Sequence, residues 1–90
     1  MKTIRLKITG KVQGVFYRQN TTEKAEKLNL TGTVRNCEDD SVEIIATGEE
    51  EQLAELVKWC WQGPPRAKVE NIQAEELPLK IFQNFSIIRY

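Results

Sequence analysis

The sequence contains no histidine, and this absence excludes several kinds of active site. Ser-His-Asp triads, Cys-His dyads, HExxH zinc sites and histidine phosphotransfer all require an imidazole. The two cysteines, Cys37 and Cys60, are too far apart for a CxxC pair, and two thiols without histidine make a poor zinc site. We therefore expect no metal and no cofactor, so that catalysis depends on arginine, lysine, carboxylates, amides, hydroxyls or backbone donors.

The sequence also lacks an excess of charge of either sign. Thirteen Lys and Arg residues balance thirteen Asp and Glu residues, so the formal net charge is zero. This balance argues against nucleic acid or an anionic membrane as a partner, although a local positive pocket is still compatible with it. No apolar run approaches the about 18 residues of a spanning helix, and the N-terminus lacks the apolar core of a signal peptide. We expect a cytoplasmic monomer.

Length and composition indicate one globular domain over residues 1–90. Apolar residues make up 40% and charged residues 29%, which excludes a disordered chain. Hydrophobic spacing predicts the order β-α-β-β-α-β with a short C-terminal strand. The predicted elements are strands over 3–9, 30–36, 42–46, 67–74 and 85–89, and helices over 17–28 and from 49 to the Gly63-Pro64-Pro65 stop. Capping cues alone would begin the first helix at Asn20, but the apolar stripe begins at Tyr17 and we prefer the stripe.

This order is typical of the ferredoxin-like split βαβ fold, an α+β class with two helices on one face of a mostly antiparallel sheet. A crossover between the first two strands makes them parallel, with the third strand between them, and parallel strands end at the same edge. The loop after Thr9 and the side chain of Asn36 should therefore lie side by side. Asn36 also has the parity of Leu30 and Val34, so its side chain should point toward the helices.

A glycine-containing loop from Gly10 to Phe16 leads directly into the first helix. Free backbone N–H groups in such a loop can surround an anion, and Arg18 in the first helical turn can add two parallel donors to a phosphate edge. The residues alone leave other interpretations open: the glycines could serve a turn, Arg18 could be a surface residue, and Asn36 could be a turn residue. The loop lacks the GxxxxGK[ST] pattern of a nucleotide P-loop.

The segment from Gly10 to Arg18, read as GKVQGVFYR, resembles the signature of the acylphosphatase family, and the resemblance extends over essentially the whole chain. It continues through LTGTVRN, which ends at Asn36, and through GPPRAKV and FSIIR toward the C-terminus. The resemblance implies hydrolysis of a small acyl phosphate to carboxylate and phosphate, without a metal. It assigns phosphate binding to Arg18 and to the loop Gln13, Gly14, Val15 and Phe16, and water positioning to Asn36. Inorganic phosphate or sulfate is the implied product-like ligand.

This chemistry is compatible with the lack of histidine. The leaving group is a carboxylate, whose conjugate acid has a pKa near ~4, so it departs without a general acid. Two departures from the family pattern concern turns: Asn29 stands where the family often has glycine at the end of the first helix, and Asp40 where it often has glycine after Asn36. Both positions tolerate a positive φ, which Asn and Asp accept most readily after glycine.

Three rival interpretations remain to be tested against the structure. Cys60 and Arg66 have the C-x5-R spacing of cysteine-dependent phosphatases, but the cysteine lies on the apolar face of a predicted helix. Ferredoxin-like domains can bind RNA through aromatic residues on the sheet, but this chain has no aromatic-rich strand of the RNP type and no net positive charge. A phosphate- or ligand-binding module without catalytic activity is the main alternative. The presence of both Arg18 and Asn36 favours the enzyme.

Overall fold

A computed structural model describes residues 1–89 and confirms the predicted α+β class. Two helices pack on a five-stranded sheet. The elements are β1 (Lys2–Lys11), α1 (Tyr17–Lys27), β2 (Thr31–Asn36), β3 (Val42–Gly48), α2 (Glu50–Gln62), β4 (Lys68–Leu77) and β5 (Phe85–Ile88). Neither helix in this part of the chain is long and apolar enough to cross a membrane.

The strand order β4-β1-β3-β2-β5 places β3 between β1 and β2, as the crossover argument predicts. Both β1 and β2 pair antiparallel with β3, and Ile8 and Asn36 both align with Val42. β5 runs parallel to β2 and extends the sheet beyond it. As a result β1, β2 and β5 all end at one edge of the sheet, where β4 begins. This edge is called the active edge below.

The core lies between one face of the sheet and the two helices. Leu6, Ile8 and Ile44 of the sheet and Leu56 of α2 have no exposed surface. Burying a side chain of this size stabilises the fold by about 1.5–3 kcal/mol. The alternation in β1 and β3 and the helical spacing in α2 therefore direct both layers toward a shared core.

Helix α1 begins at Tyr17, which confirms the apolar stripe over the local capping cue. Phe16 is the N-cap residue with φ 64°, and the backbone N–H and side-chain amide of Asn20 both donate to the Phe16 carbonyl, at 3.1 and 2.9 Å. At the other end, Asn29 has φ 58°, and the Leu30 N–H donates to the Ala25 carbonyl at 2.9 Å. Asn20 thus stabilises the first turn from within the helix.

Two predicted boundaries were wrong. Gly10 and Lys11 continue β1 past a β-bulge after Thr9, so Gly10 lies outside the loop. Gly10 has φ 125°, and a Cβ there would overlap the carbonyl oxygen of Lys68 in β4, so this glycine permits a close approach between strands. β4 runs to Leu77 instead of ending at Ala74, because it pairs with β1 along almost its whole length.

The face of the sheet away from the helices carries a partly buried ion-pair network. Glu43 accepts hydrogen bonds from the Nε groups of Arg5 and Arg35, at 2.7 and 2.8 Å. Burial acts to raise the pKa of Glu43, but the bonds from Arg35 and Arg5 outweigh it and the pKa is lowered. This network joins β1, β2 and β3 on the side opposite the core.

Candidate active site

A cleft of about 320 Å³ opens at the active edge. It contains both predicted catalytic residues, Arg18 and Asn36, which are far apart in the sequence. Its walls come from the loop before α1, the first turn of α1, and the ends of β2 and β5. The lining residues are Val12, Gly14, Phe16, Tyr17, Arg18, Gln19, Asn36, Ile87 and Arg89.

The loop before α1 exposes its backbone at Gly14. Gly14 has φ 74°, and a Cβ built on it would meet nothing within 4 Å. Val15 turns inward and is only 4% exposed, which anchors the loop in the core. Phe16 is 68% exposed and adopts φ 64°, an uncommon conformation for a bulky side chain. The loop therefore combines a fixed inner residue with accessible backbone at the mouth of the cleft.

The Gln13 side chain joins this loop to the turn after β2. Its Nε2 group donates to the carbonyl oxygens of Cys37 and Ser41, both at 2.9 Å. These bonds connect the predicted phosphate loop with the turn next to Asn36. The amide donor of the Gln13 side chain is therefore already hydrogen-bonded within the protein. Only the backbone N–H of Gln13 is available to bind a phosphate.

The start of α1, which carries Arg18, is anchored to α2 by the neighbouring Tyr17. The Tyr17 hydroxyl donates to the carbonyl of Cys60 in α2 at 2.6 Å, and its ring lies 5.6 Å from the ring of Trp59. Burial raises the pKa of Tyr17 far above its usual value, so the phenol stays protonated. Among residues 1–89, the half-buried Arg18 guanidinium makes no ion pair or hydrogen bond with another side chain, which leaves its donors for a ligand.

Asn36 presents a buried acceptor to the cleft. Its Oδ1 atom is buried and has no hydrogen-bond partner within the part of the chain that the structure describes. Leaving a buried polar atom without a partner costs about 1–3 kcal/mol, so such atoms often mark a place where a ligand or water binds. A free cationic donor and a free amide acceptor thus line one cleft.

Sequence reasoning missed a second cation in the cleft, Arg89, and the neighbouring Ile87. Both follow from the position of β5, since Ile88 pairs with Arg35 in the parallel β2–β5 ladder and Arg89 lies beside the end of β2. The sequence predicts strand β5 but does not indicate that β5 pairs with β2. An arginine at the end of the last strand would have indicated a second cation in the cleft if the parallel pairing of that strand with β2 had been known.

The structure argues against the C-x5-R interpretation. Cys60 is fully buried on the core side of α2, and burial raises the pKa of its thiol to about 12. A phosphatase cysteine must instead be an accessible thiolate. Cys60 is a core residue, and no cluster of three or more metal-ligating side chains occurs among residues 1–89.

Comparisons with known proteins agree with the geometry. The family model described as acylphosphatase matches residues 4–87. An acylphosphatase of Marinobacter nauticus is 55% identical over 81% of this chain and 79% of its own length. One of Coxiella burnetii is 42% identical over 93% of this chain and 88% of its own. The crystal structure of the Bacillus subtilis acylphosphatase has a TM-score of 0.96 and 37% identity, covering 99% of this chain and all of the other. The chain belongs to the acylphosphatase family, whose enzymes hydrolyse acyl phosphates.

Proposed function

We propose that the cleft at the active edge is the centre of acyl phosphate hydrolysis in this enzyme, with Arg18 binding the phosphoryl group and Asn36 positioning the attacking water. One observation carries the proposal. Among residues 1–89 the Arg18 guanidinium has no ion-pair or hydrogen-bond partner, the buried Asn36 Oδ1 atom has none either, and both residues line the same cleft. Their complementary donor and acceptor chemistry suits the two reactants, a phosphoryl anion and a water molecule.

The phosphoryl oxygens bind at the start of α1. Backbone N–H groups of Gln13, Gly14, Val15 and Phe16 supply donors there, and the positive end of the helix dipole favours the negative charge. The Arg18 guanidinium adds two parallel charge-assisted hydrogen bonds. These donors stabilise the charge on the equatorial oxygens as the phosphoryl group passes from the acyl oxygen to water.

The attacking water donates a hydrogen bond to Asn36 Oδ1. Its oxygen forms a bond to phosphorus while the bond between phosphorus and the acyl oxygen breaks, releasing a carboxylate and inorganic phosphate. The amide is too weak a base to remove the proton, so a phosphoryl oxygen of the substrate accepts it. Asn36 therefore acts by orientation, which fixes the water in line with the departing oxygen.

The setting of the reaction is also part of the proposal. We propose that the enzyme acts as a monomer, because Arg18 and Asn36 line the same cleft within a single chain. Neither Cys37 nor Cys60 is in a disulfide, which suits the reducing cytoplasm. Inorganic phosphate or sulfate should bind as a product-like competitive inhibitor, and chelators should leave the rate unchanged because no step uses a metal.

Benzoyl phosphate hydrolysis by Arg18 and Asn36 variants tests the assignment. Arg18→Ala should lower kcat/KM by about 100-fold or more, in the range found when one transition-state donor is removed. Arg18→Lys should recover little, because an ammonium lacks the planar fork. Asn36→Ala should lower kcat strongly and change inhibition by phosphate little.

Asn71→Ala is the matched control, since Asn71 is exposed on β4 and lies outside the cleft. Its kinetics should equal those of the wild type. Near-normal turnover by Arg18→Ala would remove Arg18 from its role. If Asn36→Ala weakens phosphate inhibition and leaves kcat intact, Asn36 is a binding residue.

A further inference from the structure

A second groove, of about 500 Å³, adjoins the cleft. Phe16 and Gln19 line both the cleft and this groove, so the two lie on either side of these residues. The other lining residues are the apolar Val15, Pro64 and Pro65, the polar Asn20 and the charged Arg66. This groove is called the proline groove below.

The fold places the proline groove at the active edge. Pro64, Pro65 and Arg66 connect the end of α2 to the start of β4, and Lys68 of β4 pairs with Lys11 at the end of β1. The Ala67 N–H donates to the Pro64 carbonyl at 3.0 Å, which closes a turn. Proline fixes its own φ, so this wall loses little conformational freedom when a ligand binds.

Phe16 supplies the dividing wall between cleft and groove. The residue is 68% exposed, and its backbone adopts φ 64°, a conformation that costs about 1–3 kcal/mol for a residue other than glycine. Strained residues of this kind are concentrated at ligand sites. An exposed aromatic ring at the junction is suited to cover an apolar group that extends from the phosphoryl site.

Arg66 gives the groove a charge preference. The side chain is exposed, and within the described residues it has no ion pair or hydrogen-bond partner. Its guanidinium can therefore receive a carboxylate at the far end of a bound group. The groove offers apolar contact next to the cleft and a cation beyond it.

We propose that the proline groove binds the acyl part of the substrate and that Arg66 makes the enzyme favour acyl groups that end in an anion. The inference rests on the proposed function, in which Asn36 holds the attacking water. In-line displacement requires the acyl oxygen to depart opposite that water. Asn36 lines only the cleft, whereas the groove is reached past Phe16 and Gln19, away from the water.

Two substrates with the same aromatic ring test the preference for an anionic acyl group. They are 4-carboxybenzoyl phosphate and 4-methylbenzoyl phosphate, which differ only in having a terminal carboxylate or a methyl group. The readout is the ratio of their kcat/KM values in wild type, Arg66→Gln and Lys68→Gln. Comparing ratios between proteins cancels the intrinsic reactivities of the two anhydrides. Lys68→Gln is the matched control, since it removes the same charge two residues away and outside the groove.

Arg66→Gln should lower the ratio by about fivefold, the upper factor for a solvent-exposed ion pair, while Lys68→Gln leaves it unchanged. The Arg66 effect should decrease at high salt, because exposed charges are screened. An unchanged ratio in Arg66→Gln, or an equal fall in Lys68→Gln, would overturn the inference. Benzoyl phosphate, which has no terminal carboxylate, separates the two proposals. If the wild type fails to hydrolyse benzoyl phosphate, the proposed function fails, whereas turnover of benzoyl phosphate together with an unaltered ratio refutes only the inference about the proline groove.

Discussion

Replacing Gln13 by leucine should destabilise the protein and misalign its candidate site, because this side chain joins the proposed phosphate-binding loop to the turn after β2. The change keeps the approximate volume and removes both hydrogen bonds to the Cys37 and Ser41 carbonyls. Each carbonyl retains a partner, since Ser41 O accepts from Cys37 N at 2.8 Å and Cys37 O accepts from Asp40 N at 3.2 Å. No carbonyl oxygen is left without a hydrogen bond. The expected loss in the free energy of unfolding is therefore the net contribution of two half-buried hydrogen bonds, about 1–2 kcal/mol.

This loss corresponds to a fall in Tm of about 5–10 °C for a domain of this size. Urea unfolding followed by tryptophan fluorescence measures the free energy, and benzoyl phosphate hydrolysis measures kcat. Both should fall in Gln13→Leu, whereas Gln73→Leu, on the exposed surface of β4, should change the free energy of unfolding by less than about 0.5 kcal/mol. An unchanged free energy together with strongly weakened phosphate inhibition would refute this reasoning and make the Gln13 side chain a phosphate ligand.

Three further predictions concern strain, charge and the buried thiol. At Phe16, where φ is 64°, the glycine variant should be more stable than the alanine variant by about 1 kcal/mol in urea unfolding, the reverse of their usual order in a helix. The pKa of Glu43 is lowered in the folded state, so its contribution to stability is present above about pH 4.3, the unfolded pKa, and is lost as the pH falls through the folded value. Glu43→Gln should therefore be less stable than the wild type at pH 7, and the gap should narrow in acid unfolding curves. Cys60 is fully buried, so mass spectrometry should find at most Cys37 labelled by iodoacetamide under native conditions; rapid labelling of Cys60 with inactivation would restore the C-x5-R interpretation.

Residue type and strand parity were sufficient to predict the structure where the conformation depends only on the local backbone. Asn29 and Asp40 stand where the family often has glycine, and both take a positive φ, of 58° and 70°. Asn and Asp accept such a conformation most readily after glycine, so both turns agree with the prediction from residue type. Parity along β2 was equally reliable, because the side of a strand alternates with each residue, and it placed Asn36 toward the cleft.

Pairing between distant segments could not be predicted in the same way. Gly10 belongs to a β-bulge, and its need for a small residue comes from β4, which approaches from the far end of the chain. Arg89 lines the cleft because β5 pairs in parallel with β2. The hydrophobic spacing of a strand does not indicate which strand it pairs with, so this position could not be predicted. The Gln13 hydrogen bonds depend likewise on the turn after β2. Long-range contacts therefore explain why Gly10 was assigned to the loop and why Arg89 was not predicted to line the cleft.

The composition of the cleft explains why an acyl phosphate is the suitable substrate. Among its lining residues within 1–89, Tyr17 is the only one apart from the arginines with a titratable side chain, and its hydroxyl already donates to the Cys60 carbonyl. Burial raises the pKa of Tyr17 still further, so it cannot serve as an acid near neutral pH. A phosphate monoester releases a strongly basic alkoxide that needs a proton, whereas a carboxylate leaves as a stable anion. A site with the proposed roles, which supplies donors for charge, an acceptor for water and no general acid, will therefore discriminate against alkyl esters by the basicity of the leaving group. Benzoyl phosphate should be hydrolysed far faster than an alkyl phosphate.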